Sequence, residues 1–314
     1  MFNKLINTNA GGGVGGWFLA AGLAESFYSA DGINWTKITD PKITDLDYSY
    51  AAEAHNGNYY LSGLKSNGNN GFFYSTDCIN WVEQTNPQVH PDGDAIRGIF
   101  NTGTRLYCSG IRTYYTTDLT GSSGWIETNN SSFNTIGINI IYTGQNYVMT
   151  GRGTPVIKYS TDGITWVNSS PTAIAFNSIG VSANGSGTVV AAGYDVSRVA
   201  SSTNHGVSWT NRVSSGTVGY LSYYDGNKFH VDIQGGSYYQ STSGTGGYVA
   251  QTKLMSQNIN DMAYNGSILV AAGRGTVVLA YSTDLGANWN TISMPGIDRF
   301  YNIACDGDPN ILRP

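Results

Sequence analysis

Charged side chains are scarce in this sequence. They make up 12% of its 314 residues, about half of the usual share of one in four. The formal net charge is -5, whereas proteins that bind nucleic acid through a broad surface are strongly basic. We therefore expect no nucleic-acid partner.

Cysteine and the common catalytic motifs are also missing or sparse. The three cysteines, Cys78, Cys108 and Cys305, are too few and odd in number for a disulfide framework. The four histidines show no metal-ligand spacing, and there is no phosphate loop and no Gly-x-Ser-x-Gly elbow. We expect no metal and no cofactor, and we keep one alternative open, a Ca²⁺ site in the loop at 90–94.

Long apolar runs are absent as well. A membrane-spanning helix needs about 20 apolar residues in succession, and the sequence contains no such run. Its first residues, MFNKLINTNAGGGVGG, lack the apolar core of a signal peptide. These absences predict no membrane insertion, no cleaved signal peptide and assembly in a cytoplasm.

What the sequence does contain is a repeat, Tyr-Ser-Thr-Asp-Gly-x-x-Trp and its variants. The copies end in a tryptophan, spaced 41 to 46 residues apart except for one double step before the last. That double step predicts a degenerate copy near Tyr248. The tryptophans are Trp35, Trp81, Trp125, Trp166, Trp209 and Trp289.

The residues around each copy indicate four short strands, because apolar runs alternate with Gly and Asn turns. The stretch 259–284, INDMAYNGSILVAAGRGTVVLAYSTD, shows the pattern in full. Repeats of about 40–45 residues with four strands are propeller blades. We predict an all-β fold, a seven-bladed β-propeller of four-stranded antiparallel blades.

The two ends of the sequence predict how this ring closes. The first repeat, at 16–22, lacks its innermost strand, and the segment 301–307 matches that strand in the last repeat. The C-terminal strand should therefore join the N-terminal blade and close the ring. This interpretation makes 14–314 a single domain and 1–13 a flexible, Gly-rich arm.

The repeated motif resembles the Asp-box, or BNR, repeat of the sialidase-like propeller superfamily. An aspartate in a turn accepts backbone N–H bonds, the glycine permits positive φ, and the tryptophan covers the turn. We therefore expect structural roles for the box residues rather than catalysis or metal binding, because carboxylates spread around a ring cannot share one site. The aspartates are Asp31, Asp77, Asp118, Asp162 and Asp284.

The same resemblance implies where a sialidase site would lie and what it would need. It would occupy the face opposite the Asp boxes, with three arginines, a Tyr–Glu pair and an acid. The family's Arg-Ile-Pro motif is absent. The sequence has only four glutamates, Glu25, Glu53, Glu83 and Glu127, of which we expect Glu53 to be a solvated residue of the channel. These absences predict that the protein is not an enzyme, with a glycosidase as the less favoured alternative.

One pattern on that face suggests a binding site. The glycine that ends the second strand is followed within two residues by a basic residue in four repeats. A ring of positive charge there would bind an acidic glycan, a phosphate or a partner carboxylate; the alternative is a set of ordinary solvated turns. The four residues are Lys65, Arg112, Arg152 and Arg274.

The composition and the first residues of the sequence favour a structural or binding protein of a bacteriophage virion. The low charge, the Gly/Ser/Thr/Asn/Tyr-rich composition and the opening MFNKLINTNAGGGVGG resemble phage tail, fibre or capsid-decoration proteins. Its partners would be other virion proteins, contacted through the arm at 1–13, and a glycan of the host surface. The alternatives are a lectin-type propeller, for which tyrosines such as Tyr48 and Tyr50 could stack on sugars, a sialidase-like glycosidase, and an assembly factor like the photosystem-assembly propellers.

Overall fold

The computed structural model describes residues 16–84, 96–129, 137–153, 157–170, 176–195, 199–213, 220–233, 237–252, 254–255 and 257–314. The predicted arm at 1–13 and the loop at 90–94 lie outside these residues. Within them, 28 strands form seven antiparallel sheets of four strands each. The predicted fold, a seven-bladed β-propeller, is confirmed.

Blade 1 contains β1 (Phe18–Gly22), β2 (Ser26–Ser29), β3 (Thr36–Lys37) and the last strand, β28 (Phe300–Cys305). A short helix, α1 (Pro41–Thr44), leads into blade 2. Blade 2 contains β4 (Leu46–His55), β5 (Asn58–Lys65), β6 (Asn70–Ser75) and β7 (Val82–Glu83). Blade 3 contains β8 (Gly98–Asn101), β9 (Leu106–Ser109), β10 (Thr113–Thr116) and β11 (Ile126–Glu127).

Blade 4 contains β12 (Gly137–Tyr142), β13 (Tyr147–Gly151), β14 (Ile157–Ser160) and β15 (Val167–Asn168). Blade 5 contains β16 (Phe176–Ala183), β17 (Val189–Asp195), β18 (Val199–Ser202) and β19 (Thr210–Val213). Blade 6 contains β20 (Ser222–Tyr224), β21 (Phe229–Ile233), β22 (Ser237–Ser241) and β23 (Val249–Gln251). Blade 7 contains β24 (Ile259–Tyr264), β25 (Leu269–Gly273), β26 (Leu279–Ser282) and β27 (Asn290–Ile292).

The ring is closed by the pairing of the first and last strands. Strand β28 lies beside β1 with Phe18 opposite Cys305 and Ala20 opposite Ile303. It takes the innermost place of blade 1, in the order β28-β1-β2-β3. The predicted closure is therefore confirmed, and it removes the open sheet edge that a linear stack of blades would leave.

The core lies between blades, because each blade buries both of its faces. On β5, Tyr59 packs into a cluster with Leu19 of blade 1, and the next residue, Tyr60, packs into a cluster with Leu106 of blade 3. Successive side chains of a strand point to opposite faces. Alternate residues of one strand therefore stabilise two different interblade contacts, which accounts for strands that are apolar almost throughout.

The repeated motif forms a hydrogen-bonded turn between the third and fourth strands. In the first copy, Asp31 Oδ1 accepts from the backbone N–H groups of Ile33 and Asn34 at 2.9 and 2.7 Å. The Trp35 indole donates to the carbonyl oxygen of Gly32, and Gly32 has a φ of 72°. Although partial burial opposes it, the hydrogen bonds from Asn34 and Ile33 lower the pKa of Asp31 to about 2.

The other copies keep this turn through substitutions. In the second, Cys78 stands where Gly32 stands in the first, and it adopts a φ of 57°. In the fifth, Asn204 replaces the aspartate, and its Oδ1 accepts from the backbone N–H of Ser208 at 2.9 Å. The three cysteines are buried and unpaired with one another. Among the described residues, no helix is long and apolar enough to cross a membrane.

Candidate binding site at the channel mouth

The two faces of the ring differ in which turns they carry. Successive hairpin turns alternate between the faces. The turns between the third and fourth strands and those between the first and second strands therefore share one face, here called the lower face. The starts of the innermost strands and the turns between the second and third strands share the other, the upper face. A central channel lined by the innermost strands joins the two.

A bulge occurs near the upper end of five innermost strands. In β4, Ser49 pairs with Gly63 and Ala51 with Ser62, so Tyr50 is the extra residue. Equivalent shifts occur in blades 1, 4, 5 and 7. A bulge turns a side chain away from the regular alternation of a strand. Four of the extra residues line one cavity, namely Tyr50, Ile138, Asn260 and Tyr301.

These bulges explain the glycine that ends the second strand. A Cβ on Gly63 would lie 2.1 Å from the carbonyl oxygen of Tyr48, and one on Gly273 would lie 2.1 Å from that of Asn258. No side chain fits at such distances. In blades 2 and 7 the glycine therefore allows the bulged innermost strand to approach its neighbour.

The cavity at the upper mouth of the channel has a volume of about 290 Å³ and is strongly basic. Four arginines, drawn from blades 1, 3, 4 and 7, contribute to its lining. No carboxylate is present among the described residues that line it. The lining consists of Tyr50, Arg97, Ile138, Arg152, Tyr220, Asn258, Asn260, Arg274, Arg299 and Tyr301. We call this cavity the arginine mouth.

Two of the four arginines lie against aromatic rings. The guanidinium carbon of Arg97 is 3.8 Å from the centre of the Tyr50 ring, a cation–π distance. Arg299 Nε donates to Asp298 Oδ2 at 2.9 Å, and its guanidinium carbon is 5.8 Å from the centre of the Tyr301 ring. These contacts fix the two guanidinium groups in position.

The other two arginines, Arg152 and Arg274, have no carboxylate within 4.0 Å among the described residues. Arg274 forms an isolated antiparallel β-bridge with Arg299, and the backbone N–H of Arg274 donates to the carbonyl oxygen of Asn258 at 2.9 Å. Arg274 and Arg299 are thus neighbours in the backbone, and among the described residues Asp298 pairs with Arg299 and not with Arg274. Guanidinium groups without anionic partners favour binding of an external anion.

The structure divides the four basic residues that the sequence analysis grouped. It brings Arg152 and Arg274 to the arginine mouth and places Lys65 and Arg112 outside its lining. Lys65 pairs with Glu83, and Arg112 pairs with Glu127 at 3.2 Å. Both acids belong to the outermost strands, β7 and β11, so these two cations point toward the rim of their blades.

Two members of the site, Arg97 and Arg299, were missed by the sequence analysis. Each stands immediately before an innermost strand, in Arg97-Gly98 and Arg299-Phe300. That position lies on the same face as the turn after the second strand. A search for basic residues at both positions of the repeat would have found all four arginines.

The lower end of the channel is closed by the last residues of the sequence, 306–314. Asp306 accepts from the Gly57 N–H at 2.9 Å, and Asp308 accepts from the Tyr223 hydroxyl and the Tyr264 N–H at 2.8 and 2.9 Å. Ile311 and Leu312 pack onto the interblade clusters of blades 3 to 5. We call this segment, which includes Arg313, the floor. Its contacts reach every blade.

Arg313 anchors the floor to the channel wall. Its Nη2 donates to Glu53 Oε1 at 2.9 Å, its Nη1 donates to the carbonyl oxygen of Asn101, and its guanidinium carbon is 5.3 Å from the centre of the Phe100 ring. The expectation that Glu53 is solvated is wrong, because the floor covers it. Burial raises the pKa of Glu53, although Arg313 acts in the opposite direction.

Comparisons with known proteins show the fold and no more. No family model and no curated protein matches this chain. A catalytically inactive virginiamycin B lyase from Staphylococcus aureus, solved with quinupristin, superposes with a TM-score of 0.62 at 12% identity, covering 80% of this chain and 85% of that chain. YCF48 bound to D1 peptide superposes with a TM-score of 0.58 at 17% identity, covering 78% of this chain and 80% of that chain. The computationally designed Ika8 protein superposes with a TM-score of 0.61 at 11% identity, covering 91% of this chain and 90% of that chain.

These similarities support a β-propeller architecture. Unrelated activities share one fold, so the names of these proteins say nothing of what this chain binds. The resemblance to the Asp-box superfamily is not confirmed by them, and neither is an origin in a virion.

Proposed function

We propose that this chain is a non-enzymatic recognition protein of the Asp-box propeller type, whose arginine mouth binds an anionic group of a glycan. The observation that carries the proposal is the pair Arg152 and Arg274, held at the entrance of a cavity of about 290 Å³ without a carboxylate partner among the described residues. A carboxylate or sulfate would supply the missing counter-charge through paired hydrogen bonds.

The closed floor supports binding at one end of the channel. A ligand that enters at the upper face meets arginine, tyrosine and asparagine side chains first and then a channel of about 160 Å³. The floor prevents a polymer from passing through the ring. The site therefore suits a group that projects from a surface, such as a branch or an end of a glycan chain.

The carboxylates support binding without hydrolysis. Glycosidases of the common type need two carboxyl groups flanking the scissile bond, and the described lining of the arginine mouth holds none. All four glutamates are paired with cations elsewhere, in the pairs Lys37–Glu25, Arg313–Glu53, Lys65–Glu83 and Arg112–Glu127.

We further propose that this recognition serves a bacteriophage virion, as a tail, fibre or capsid-decoration component that contacts the host surface. The support is compositional: few charges, many Gly, Ser, Thr, Asn and Tyr, and an opening like that of phage structural proteins. The residues at 1–13 would then contact a neighbouring virion protein. A purely structural virion role, without a ligand, is the second candidate, since one fold serves both uses.

The test is a glycan array with the purified protein, run beside a turnover assay with a fluorogenic sialoside. We expect binding to acidic glycans and no turnover. Turnover would show an enzyme. Absence of binding to every acidic glycan, in a folded sample, would contradict the recognition proposal and favour the purely structural role.

A further inference from the structure

Three tyrosine rings form a row that begins in the arginine mouth and leads out of it. The Tyr48 and Tyr50 rings are parallel, with centres 5.7 Å apart, and the Tyr301 ring lies 5.9 Å from that of Tyr50. Tyr50 and Tyr301 line the mouth, and Tyr48 does not. We call these three residues the tyrosine row.

The local structure of β4 places this row. The strand has two irregularities in its pairing with β5, one between Leu46 and Tyr48 and one between Ser49 and Ala51. It also begins earlier than the other innermost strands and is bridged to blade 1 through Leu23. Tyr48 and Tyr50 are two residues apart, so their side chains lie on the same side of the strand, and the bulge at Tyr50 bends the strand beside them.

Exposure distinguishes Tyr48 from the other large apolar side chains. It is 36% exposed, and among the described residues it is the only aromatic of the large hydrophobic side chains exposed to that extent. The others are isoleucines and valines of the Asp-box turns and outermost strands. The tyrosine row thus presents an aromatic surface beside two of the arginines of the mouth: the Arg97 guanidinium lies over one face of the Tyr50 ring, and Arg299 lies beside Tyr301.

We propose that the exposed ring of Tyr48, held in place by stacking on Tyr50, forms a second subsite, which binds a neutral sugar ring adjacent to the acidic residue held in the arginine mouth. The ligand is then an acidic oligosaccharide of at least two sugar residues. The C–H face of a pyranose is apolar and packs on an aromatic ring, while its hydroxyl groups stay in water. This inference rests on the proposed function, because the acidic residue is what the mouth would hold.

The experiment compares monosaccharides with longer sugars by titration calorimetry. The probes are N-acetylneuraminic acid against sialyllactose, and glucuronic acid against cellobiouronic acid, in which the second residue is neutral. The proteins are the wild type, Tyr48→Ala, Tyr48→Phe and Ile126→Ala. The last is the control for loss of an exposed apolar side chain, because Ile126 is exposed on the outermost strand of blade 3. Melting temperatures establish that each variant is folded.

In at least one series we expect the longer sugar to bind the wild type about five- to tenfold more tightly than the monosaccharide, the range of one aromatic stacking contact. Tyr48→Ala should abolish this gain and leave monosaccharide affinity unchanged. Tyr48→Phe and Ile126→Ala should keep it.

The inference is overturned if monosaccharides bind but neither series shows a gain with length, or if Tyr48→Ala retains the gain. In both cases the proposed function stands. If none of the four sugars binds, the inference fails, and the glycan array decides the proposed function separately. A further probe, tetraglutamate, represents an acidic peptide: binding tighter than that of any sugar would overturn the inference in favour of a peptide ligand.

Discussion

Arginine side chains occur at both ends of the channel, and the two ends differ in the partners of the guanidinium groups. At the floor, the Arg313 side chain is only 13% exposed and is satisfied by Glu53, a carbonyl oxygen and the Phe100 ring. At the mouth, Arg152 and Arg274 have no carboxylate partner in the described part of the chain. A guanidinium that is matched within the fold contributes to stability, whereas one left unmatched is available to a ligand.

The largest expected effect is at the floor. Arg313→Ala should lower the free energy of unfolding by about 3 kcal/mol, because breaking a buried ion pair leaves the Glu53 carboxylate without its partner. Denaturant unfolding measures this. The double variant Glu53→Gln/Arg313→Ala should lose less than the sum of its two single variants; losses that simply add would show that the pair is not coupled.

The next effect concerns the backbone that shapes the mouth. Gly273→Ala should destabilise the protein by about 2 kcal/mol, because its Cβ would collide with the Asn258 carbonyl oxygen at 2.1 Å, and overpacking of this kind costs about 1–3 kcal/mol. The control is Gly246→Ala, whose Cβ would have no atom within 4 Å. Equal stabilities of the two variants in denaturant unfolding would contradict the close approach at the bulge.

A smaller effect, of opposite sign to that at the floor, is expected at the mouth itself. Arg152→Ala/Arg274→Ala should leave the melting temperature unchanged or raise it slightly. The gain in the free energy of unfolding should be about 0.5 kcal/mol or less, because the variant removes two like charges and breaks no ion pair between described residues. Differential scanning calorimetry at low salt measures this. A loss as large as that of Arg313→Ala would mean that these arginines are structural.

The smallest effect is expected at the rim. Lys65→Ala/Arg112→Ala should change the free energy of unfolding by about 0.2 kcal/mol per pair or less, since many ion pairs near the surface contribute nothing measurable. The same denaturant measurement as for Arg313 applies. A loss of several kcal/mol would place the pairs with Glu83 and Glu127 among the contacts that hold the blades together.

The fold could be predicted because the signals for each blade lie close together in the sequence, within one repeat. The spacing of the tryptophans, the Gly and Asn turns, and the match between 301–307 and the innermost strand of the last repeat predicted seven blades and the closing pair β28 and β1. The degenerate sixth copy near Tyr248 is also a four-stranded blade. Each of these features is encoded within one period of the sequence.

The site was only half predictable because it depends on departures from the repeat. The basic residue after the second-strand glycine pointed to Arg152 and Arg274, but the partners of Lys65 and Arg112 lie 18 and 15 residues away on the outermost strands. Bulges bring Tyr50 and Tyr301 to the mouth, and nothing in the alternation of a strand indicates them. The floor covers Glu53 through a contact between residues 260 positions apart.

One glycan array, run with the wild type and the two double variants, tests the central claim most directly. The account predicts that the wild type and Lys65→Ala/Arg112→Ala bind the same acidic glycans, and that Arg152→Ala/Arg274→Ala loses at least about tenfold in affinity, the value of one charged hydrogen bond. Binding retained by Arg152→Ala/Arg274→Ala, or lost equally in both variants, would contradict the assignment of the arginine mouth as the binding site.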